Sequence, residues 1–190
     1  MASAATAKLY VTEAGDPLHG ILAEFPGPGE LYHAAEAVRD AGYTKWDTFT
    51  PFPIHGMEEA MGVAPTVLPR IIAVVGLTGA GLGFLMQYWM QGVDYPLVTQ
   101  GKPYFSWQAF IPITFECGIL LSAFTAIGGM LAMNGLPRHH HPLLKKERFL
   151  SSSDDRFFIA IESADPRFDP HATRALLERA GATSIELVEE

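Results

Sequence analysis

Two long apolar runs in the middle of the chain constrain its fold more than any other feature. The first run covers residues 71–90 and the second covers 109–133, and Glu116 is the only charged residue in either. A helix rises about 1.5 Å per residue, so 20 residues cover roughly 30 Å, the thickness of a hydrocarbon core. The pattern predicts a transmembrane hairpin with helices over 71–91 and 109–133, joined by an external loop over 92–108.

The charges around the hairpin predict its orientation. Basic residues lie where the hairpin continues into the two arms, at Arg70 and at Arg138, Lys145, Lys146 and Arg148. The connecting loop carries only one lysine and one aspartate. The positive-inside rule therefore predicts two spans with both arms, and hence both termini, in the cytoplasm.

The two arms repeat one pattern of predicted elements. After an N-terminal extension (1–17), residues 18–50 predict a strand, a helix and a strand, and residues 156–190 predict the same order. A proline-rich linker (51–70) and a return linker (134–155) connect the arms to the hairpin. Two such units pair into a four-stranded antiparallel sheet with both helices on one face. We therefore predict an α+β membrane protein, in which the transmembrane hairpin is inserted between two βαβ halves of a ferredoxin-like cytoplasmic domain.

Composition argues against several kinds of site. The net charge of −8 leaves no basic surface of the kind that binds nucleic acid. Cys117 is the only cysteine, and one thiol cannot build an intrachain disulfide, a CxxCH haem attachment or an iron–sulfur cluster. The tract 139–141 (HHH) lacks ligands at metal-site spacing. With no nucleophile–base constellation recognisable, we predict no catalytic residue, metal or bound cofactor on this chain.

Glu116 is the candidate for chemistry inside the hairpin. It lies roughly 11 Å into the second run, where an ionised carboxylate costs at least a few kcal/mol, so it should face protein or water. One interpretation is a proton relay, or a polar contact to a quinone-like ligand or a partner helix. The other is a neutral structural carboxyl that hydrogen-bonds to Thr114 or Thr78.

Small residues in both runs predict close helix packing. They recur at three- or four-residue steps: Gly76, Gly79 and Gly83 in the first run, and Gly118, Ser122 and Ala126 in the second. No hydrophobic force drives helices together in lipid, so close backbone approach through small residues must do so. These faces are expected to pack against each other or against partner subunits.

Many short phrases, in a fixed order around the hairpin, resemble a known family. They are AGY (41–43), PFPIHG (51–56), DYPL (94–97), GKP (101–103), SW (106–107), FIPITFE (110–116), NGLP (134–137), HP (141–142), DRFF (155–158) and DPRFD (165–169). The order of these phrases, over about residues 18–190, resembles the D subunit of bacterial alternative complex III.

The resemblance implies a non-catalytic membrane subunit of a quinol:electron-acceptor oxidoreductase in the bacterial inner membrane. Haem c, iron–sulfur clusters and the quinol site would belong to partner subunits, including large membrane subunits. This chain would be a scaffold between the membrane and cytoplasmic parts of the complex. Two alternatives remain at this point: direct proton transfer through Glu116, and a membrane-anchored sensor domain for a small molecule.

Overall fold

The computed structural model describes residues 10–11 and 17–190, so most of the predicted N-terminal extension lies outside the described residues. The helices are α1 (Pro28–Asp40), α2 (Met57–Met61), α3 (Leu68–Trp89), α4 (Trp107–Met133), α5 (Glu147–Leu150) and α6 (Pro170–Arg179). The strands are β1 (Leu18–Phe25), β2 (Trp46–Phe49), β3 (Phe157–Glu162) and β4 (Ser184–Glu189). The chain divides into two compact units, one formed by Met1–Ala64 with His139–Glu190 and the other by Pro65–Arg138.

The first unit is built on one four-stranded antiparallel sheet. Its strand order is β2-β3-β1-β4, so the two central strands come from opposite ends of the chain. β1 pairs antiparallel with both β3 and β4, and β2 pairs antiparallel with β3. The mixed α/β class and the antiparallel sheet expected from the sequence are confirmed.

The main core lies between this sheet and helices α1 and α6. Alternation along β1 turns Ile21, Ala23 and Phe25 towards this core, as expected for a strand whose side chains alternate between faces. The helices contribute the apolar stripes with which they pack, namely Leu31, Ala34, Ala35 and Val38 from α1 and Leu177 from α6. Asp169 caps α6 as its position before Pro170 suggests, because its carboxylate accepts the backbone N–H groups of His171 (3.0 Å) and Ala172 (2.8 Å).

The second face of the sheet has a smaller apolar cluster. Leu22, Phe158 and Val188 from the strands pack there with Leu143 and Phe149 from the return linker. This segment folds into a short 3₁₀ turn followed by α5. The return linker therefore covers one part of the face and leaves another part open.

Gly20 permits an irregularity in β1 that shapes this open part. The register of β1 against β4 shifts between Leu18 and Gly20. A Cβ atom on Gly20 would collide with the backbone carbonyl of Ile161 on the neighbouring strand. Only glycine fits so close a backbone approach.

The second unit is a pair of long apolar helices, α3 and α4. By length and composition each helical segment, Leu68–Asp94 and Trp107–Met133, could span a membrane. At 1.5 Å per residue the 27 residues of α4 measure about 40 Å. Proline in the first turn suits the start of α3 at Leu68, three residues earlier than the apolar run alone suggests.

Candidate functional site

A seam of glycines on α3 lies against α4. A Cβ atom on Gly79 would lie 2.8 Å from the backbone oxygen of Cys117, and one on Gly83 would lie 3.0 Å from the Cys117 sulfur. A Cβ on Gly76 would collide with the Ser122 hydroxyl. These distances are shorter than ordinary contacts, so the separation of the two helices requires the absence of side chains here.

The small residues of α4 contribute unequally to the same seam. A Cβ on Gly118 would lie 3.3 Å from both the Ala80 side chain and the Gly76 carbonyl. The Ser122 hydroxyl donates to the Gly118 carbonyl (2.8 Å), so its hydrogen-bond partner lies within α4 and not on α3. Ala126 is half-buried. Gly81 on α3, by contrast, has no atom within 4 Å of the Cβ position and faces away from the seam.

Gln87 joins the two helices by hydrogen bonds, a role that sequence reasoning missed. Its side chain is buried, and its amide nitrogen donates to the carbonyls of Gly83 (3.1 Å) and Phe110 (3.0 Å), with the Thr114 hydroxyl at 3.4 Å. The available signal was a lone amide near the end of an otherwise apolar run. In an apolar surrounding such an amide needs partners on a neighbouring helix.

Aromatic rings surround the beginning of α4, next to Gln87. Phe105 packs edge-to-face with Phe84, Tyr88 and Phe110, with ring centroids 5.5–6.1 Å apart. The hydroxyl of Ser106, just before α4, is buried and has no hydrogen-bond partner among the described residues.

Glu116 lies on the side of α4 that faces away from α3. The contacts of Cys117, Gly118 and Leu121 with α3 define the inner face, and the helical repeat places Glu116 roughly opposite. The residue is exposed, and within the described part of the chain no hydrogen bond or ion pair reaches its carboxylate. Thr78, one suggested donor, instead hydrogen-bonds to the Val74 carbonyl within α3 (2.8 Å), and Thr114 lies at the seam beside Gln87.

In the first unit, Asp165 connects two distant loops. One carboxylate oxygen accepts the backbone N–H groups of Thr44 (2.6 Å) and Lys45 (2.7 Å) and the Thr44 hydroxyl (3.0 Å). The other accepts the N–H of Arg167 at 2.7 Å. Burial alone would raise the pKa of Asp165, but these hydrogen bonds together outweigh it and lower the pKa below the ordinary value.

Two arginines share the carboxylate of Glu24 on the second face of the sheet. Arg148 and Arg156 approach its two oxygens at 2.9 Å and 2.7 Å, and Arg148 also pairs with Glu186 at 2.9 Å. The hydrogen bond to Glu24 and the charge of Glu24 raise the pKa of Arg148. This network ties α5 and the chain before β3 to the sheet.

A concave pocket of about 370 Å³ lies on the open part of the second face. Its polar lining includes Asp47 from β2, Glu162 from β3 and the rings of His19 and His141. The two imidazole rings stand edge-to-face with centroids 5.3 Å apart. The apolar part of the lining comes from Val188, Leu143, Phe49 and Ala160.

The three consecutive histidines of the return linker do not share one environment. His141 lies at this pocket, and its Nδ1 accepts the backbone N–H of Leu143 at 3.4 Å, whereas His139 and His140 are exposed. Among residues 10–11 and 17–190, no three His, Cys, Asp or Glu side chains are grouped so that they could hold a metal ion.

Comparison with known proteins identifies the family. The family model described as "Alternative complex III, ActD subunit" matches residues 19–187, which include both arms, both linkers and the hairpin. No curated protein gives a significant match. The match covers most of the chain, so its paired helices and antiparallel sheet are those of a subunit of a membrane-bound electron-transport complex. The chain belongs to the ActD family of alternative complex III subunits.

Proposed function

We propose that this chain is a non-catalytic scaffold of a quinol-oxidising alternative complex III, and that it holds membrane and cytoplasmic parts of the complex together. The observation that carries the proposal is the pairing of a glycine seam, which fixes the hairpin, with outer helix faces that are apolar and exposed. Such outer faces are suited to lipid and to neighbouring membrane subunits. Family membership supplies the setting, an assembly of several subunits.

We propose that the redox groups of such a complex belong to partner subunits. Haem c attachment requires paired cysteines and iron–sulfur clusters require several, whereas this chain contributes only Cys117. That thiol is half-buried at the glycine seam beside Gly83. The residues of this chain therefore do not fit these groups, and its contribution would be positional.

The first unit is proposed to be a ferredoxin-like domain on the cytoplasmic side. Its strand order, β2-β3-β1-β4, and the burial of α1 and α6 in a shared core support this arrangement. The cytoplasmic position of both termini is supported by Arg70 and Arg138 at the arm side of the hairpin. The membrane would be the bacterial inner membrane.

Purification through an affinity tag on this chain tests the scaffold proposal. The expected result is a stable preparation from membranes that contains partner subunits in fixed ratio and shows the absorption of c-type haem. Isolation of the chain alone, without haem and from gently solubilised membranes, would contradict the proposal.

Direct proton transfer through Glu116 is a second candidate, favoured by its exposed carboxyl on the outer face of α4, which no other described residue contacts by a hydrogen bond or ion pair. Glu116→Gln retains shape and hydrogen bonding but cannot exchange a proton. If Glu116 carries protons, the variant complex should assemble normally, yet quinol oxidation or coupled proton uptake should fall several-fold. Normal rates in an intact variant complex would reject this role and leave a structural contact.

A further inference from the structure

The pocket on the second face of the sheet contains two acidic side chains that form no ion pair with the described part of the chain. Asp47 lies opposite Ala160 in the pairing of β2 with β3, so it shares a face with Glu162, two residues further along β3. Both residues line the same cavity. Among the described residues, no lysine, arginine or histidine forms an ion pair with either carboxylate.

The lining contains one lysine, Lys45, beside these two carboxylates, so their formal charge is offset only in part. Lys45 lines the pocket, but the contact it makes with Glu162 is through the backbone, where its carbonyl accepts the Glu162 N–H at 2.9 Å. Partial desolvation raises the pKa of Asp47, the Thr48 N–H opposes this by donating to the carboxylate, and the charge of Glu162 raises the pKa further. The fold therefore places two exposed residues of like charge on one face of neighbouring strands.

The charge and shape of the pocket fit one kind of occupant. A planar guanidinium can donate to two carboxylates at once and stack on an aromatic ring, which a compact ammonium does less well. Here the acceptors come from adjacent strands, and the rings of His19 and His141 lie in the same wall. On the same face of the sheet, Arg148 donates to the carboxylates of Glu24 and Glu186 from adjacent strands, but Arg148 does not line this pocket.

We propose that this pocket receives an arginine side chain from a neighbouring subunit of the complex, which pairs with Asp47 and Glu162. The proposal rests on the proposed function, since it needs a partner subunit. It goes further by naming the contact surface on this chain and the chemistry of the group that binds there. The carboxylates would then serve association at the expense of the stability of the separate chain.

The test compares tagged complexes that carry Asp47→Asn with Glu162→Gln, or a matched control, Asp154→Asn with Glu189→Gln. The control removes the same two charges from exposed side chains of the same unit outside the pocket. Immobilised complexes are washed with rising concentrations of NaCl, and the retained partner subunits are quantified by mass spectrometry.

At the same NaCl concentration, we expect the pocket variant to retain at least about tenfold less of a partner subunit than the wild type, the scale of removing one side of an interfacial charge pair. The control should behave as the wild type does. In urea, the separately purified pocket variant should be at least as stable as the wild-type chain, because a repulsion has been removed.

Three results would overturn the proposal. One is equal retention in the pocket variant and the control, with the wild-type complex intact, which would leave the scaffold function standing. Another is a marked loss of urea stability in the pocket variant, which would make the carboxylates structural. The third is a carbodiimide cross-link from Asp47 or Glu162 to a partner lysine, because guanidinium groups do not couple. Failure of the wild-type chain to retain any partner would instead contradict the proposed function itself.

Discussion

Replacement of Asp165 by asparagine should destabilise the sheet unit without altering its size or packing. The carboxylate accepts four hydrogen bonds, three of them from backbone N–H groups, and the residue is only 5% exposed. An asparagine side chain has one acceptor oxygen and one donor group in the same space. If its oxygen stays with Thr44 and Lys45, its NH₂ group points at the N–H of Arg167.

The size of the effect follows from these contacts. The hydrogen bonds that remain lose the contribution of the charge, since bonds to ionised groups are worth roughly 1.5–3 kcal/mol and neutral ones about 0.5–1.5 kcal/mol. The Arg167 N–H, left without an acceptor, adds a desolvation penalty of about 1–3 kcal/mol. Because such terms are not additive, we expect a total loss of about 2–4 kcal/mol in the free energy of unfolding.

The measurement uses the full chain in lipid nanodiscs, unfolded with urea and followed by hydrogen exchange of the sheet amides and of Thr44 and Lys45. The control is Asp169→Asn, the same chemical change at the N-cap of α6, where asparagine serves as well as aspartate. The control should change stability by only a few tenths of a kcal/mol. An Asp165→Asn loss below about 1 kcal/mol, or one equal to the control, would refute the reasoning.

Three further predictions concern pH and the hairpin. The pKa of Asp165 is lower in the folded than in the unfolded chain, so its stabilisation is complete above the unfolded value of about 3.9 and disappears as the pH falls through the folded value. In an acid titration, the free energies of unfolding of the wild type and Asp165→Asn should therefore converge at low pH. A constant difference between them would contradict this. Gly79→Ala should weaken the pairing of α3 with α4 by about 1–3 kcal/mol in an SDS titration, because the added Cβ would collide with the Cys117 carbonyl. The control Gly81→Ala should be nearly neutral. Equal effects of the two substitutions would contradict the position of the seam. Gln87→Leu should weaken the same pairing by roughly 0.5–2 kcal/mol, because interhelical hydrogen bonds are lost. An unchanged stability would show that Gln87 does not join the two helices.

Periodicity made much of the fold predictable. Apolar runs long enough to cross a bilayer predicted the two long helices, and alternating residues between turn signals predicted four strands in the observed order along the chain. The five-residue helix α2 lies within the proline-rich linker and was not predicted, because so short a helix leaves no periodic signal.

What the sequence determined by itself is the kind of protein: an α/β chain with two long apolar helices, one cysteine and the phrases of its family. Local sequence is sufficient for these features because they depend on neighbouring residues and on composition. Only the tertiary structure decided which groups meet. Asp165 reaches a loop 120 residues away, Gln87 finds a carbonyl on the next helix, and Asp47 meets Glu162 in one pocket. A repeating pattern indicates which face of an element is buried, whereas the partner on that face depends on the register and pairing of elements distant in the chain.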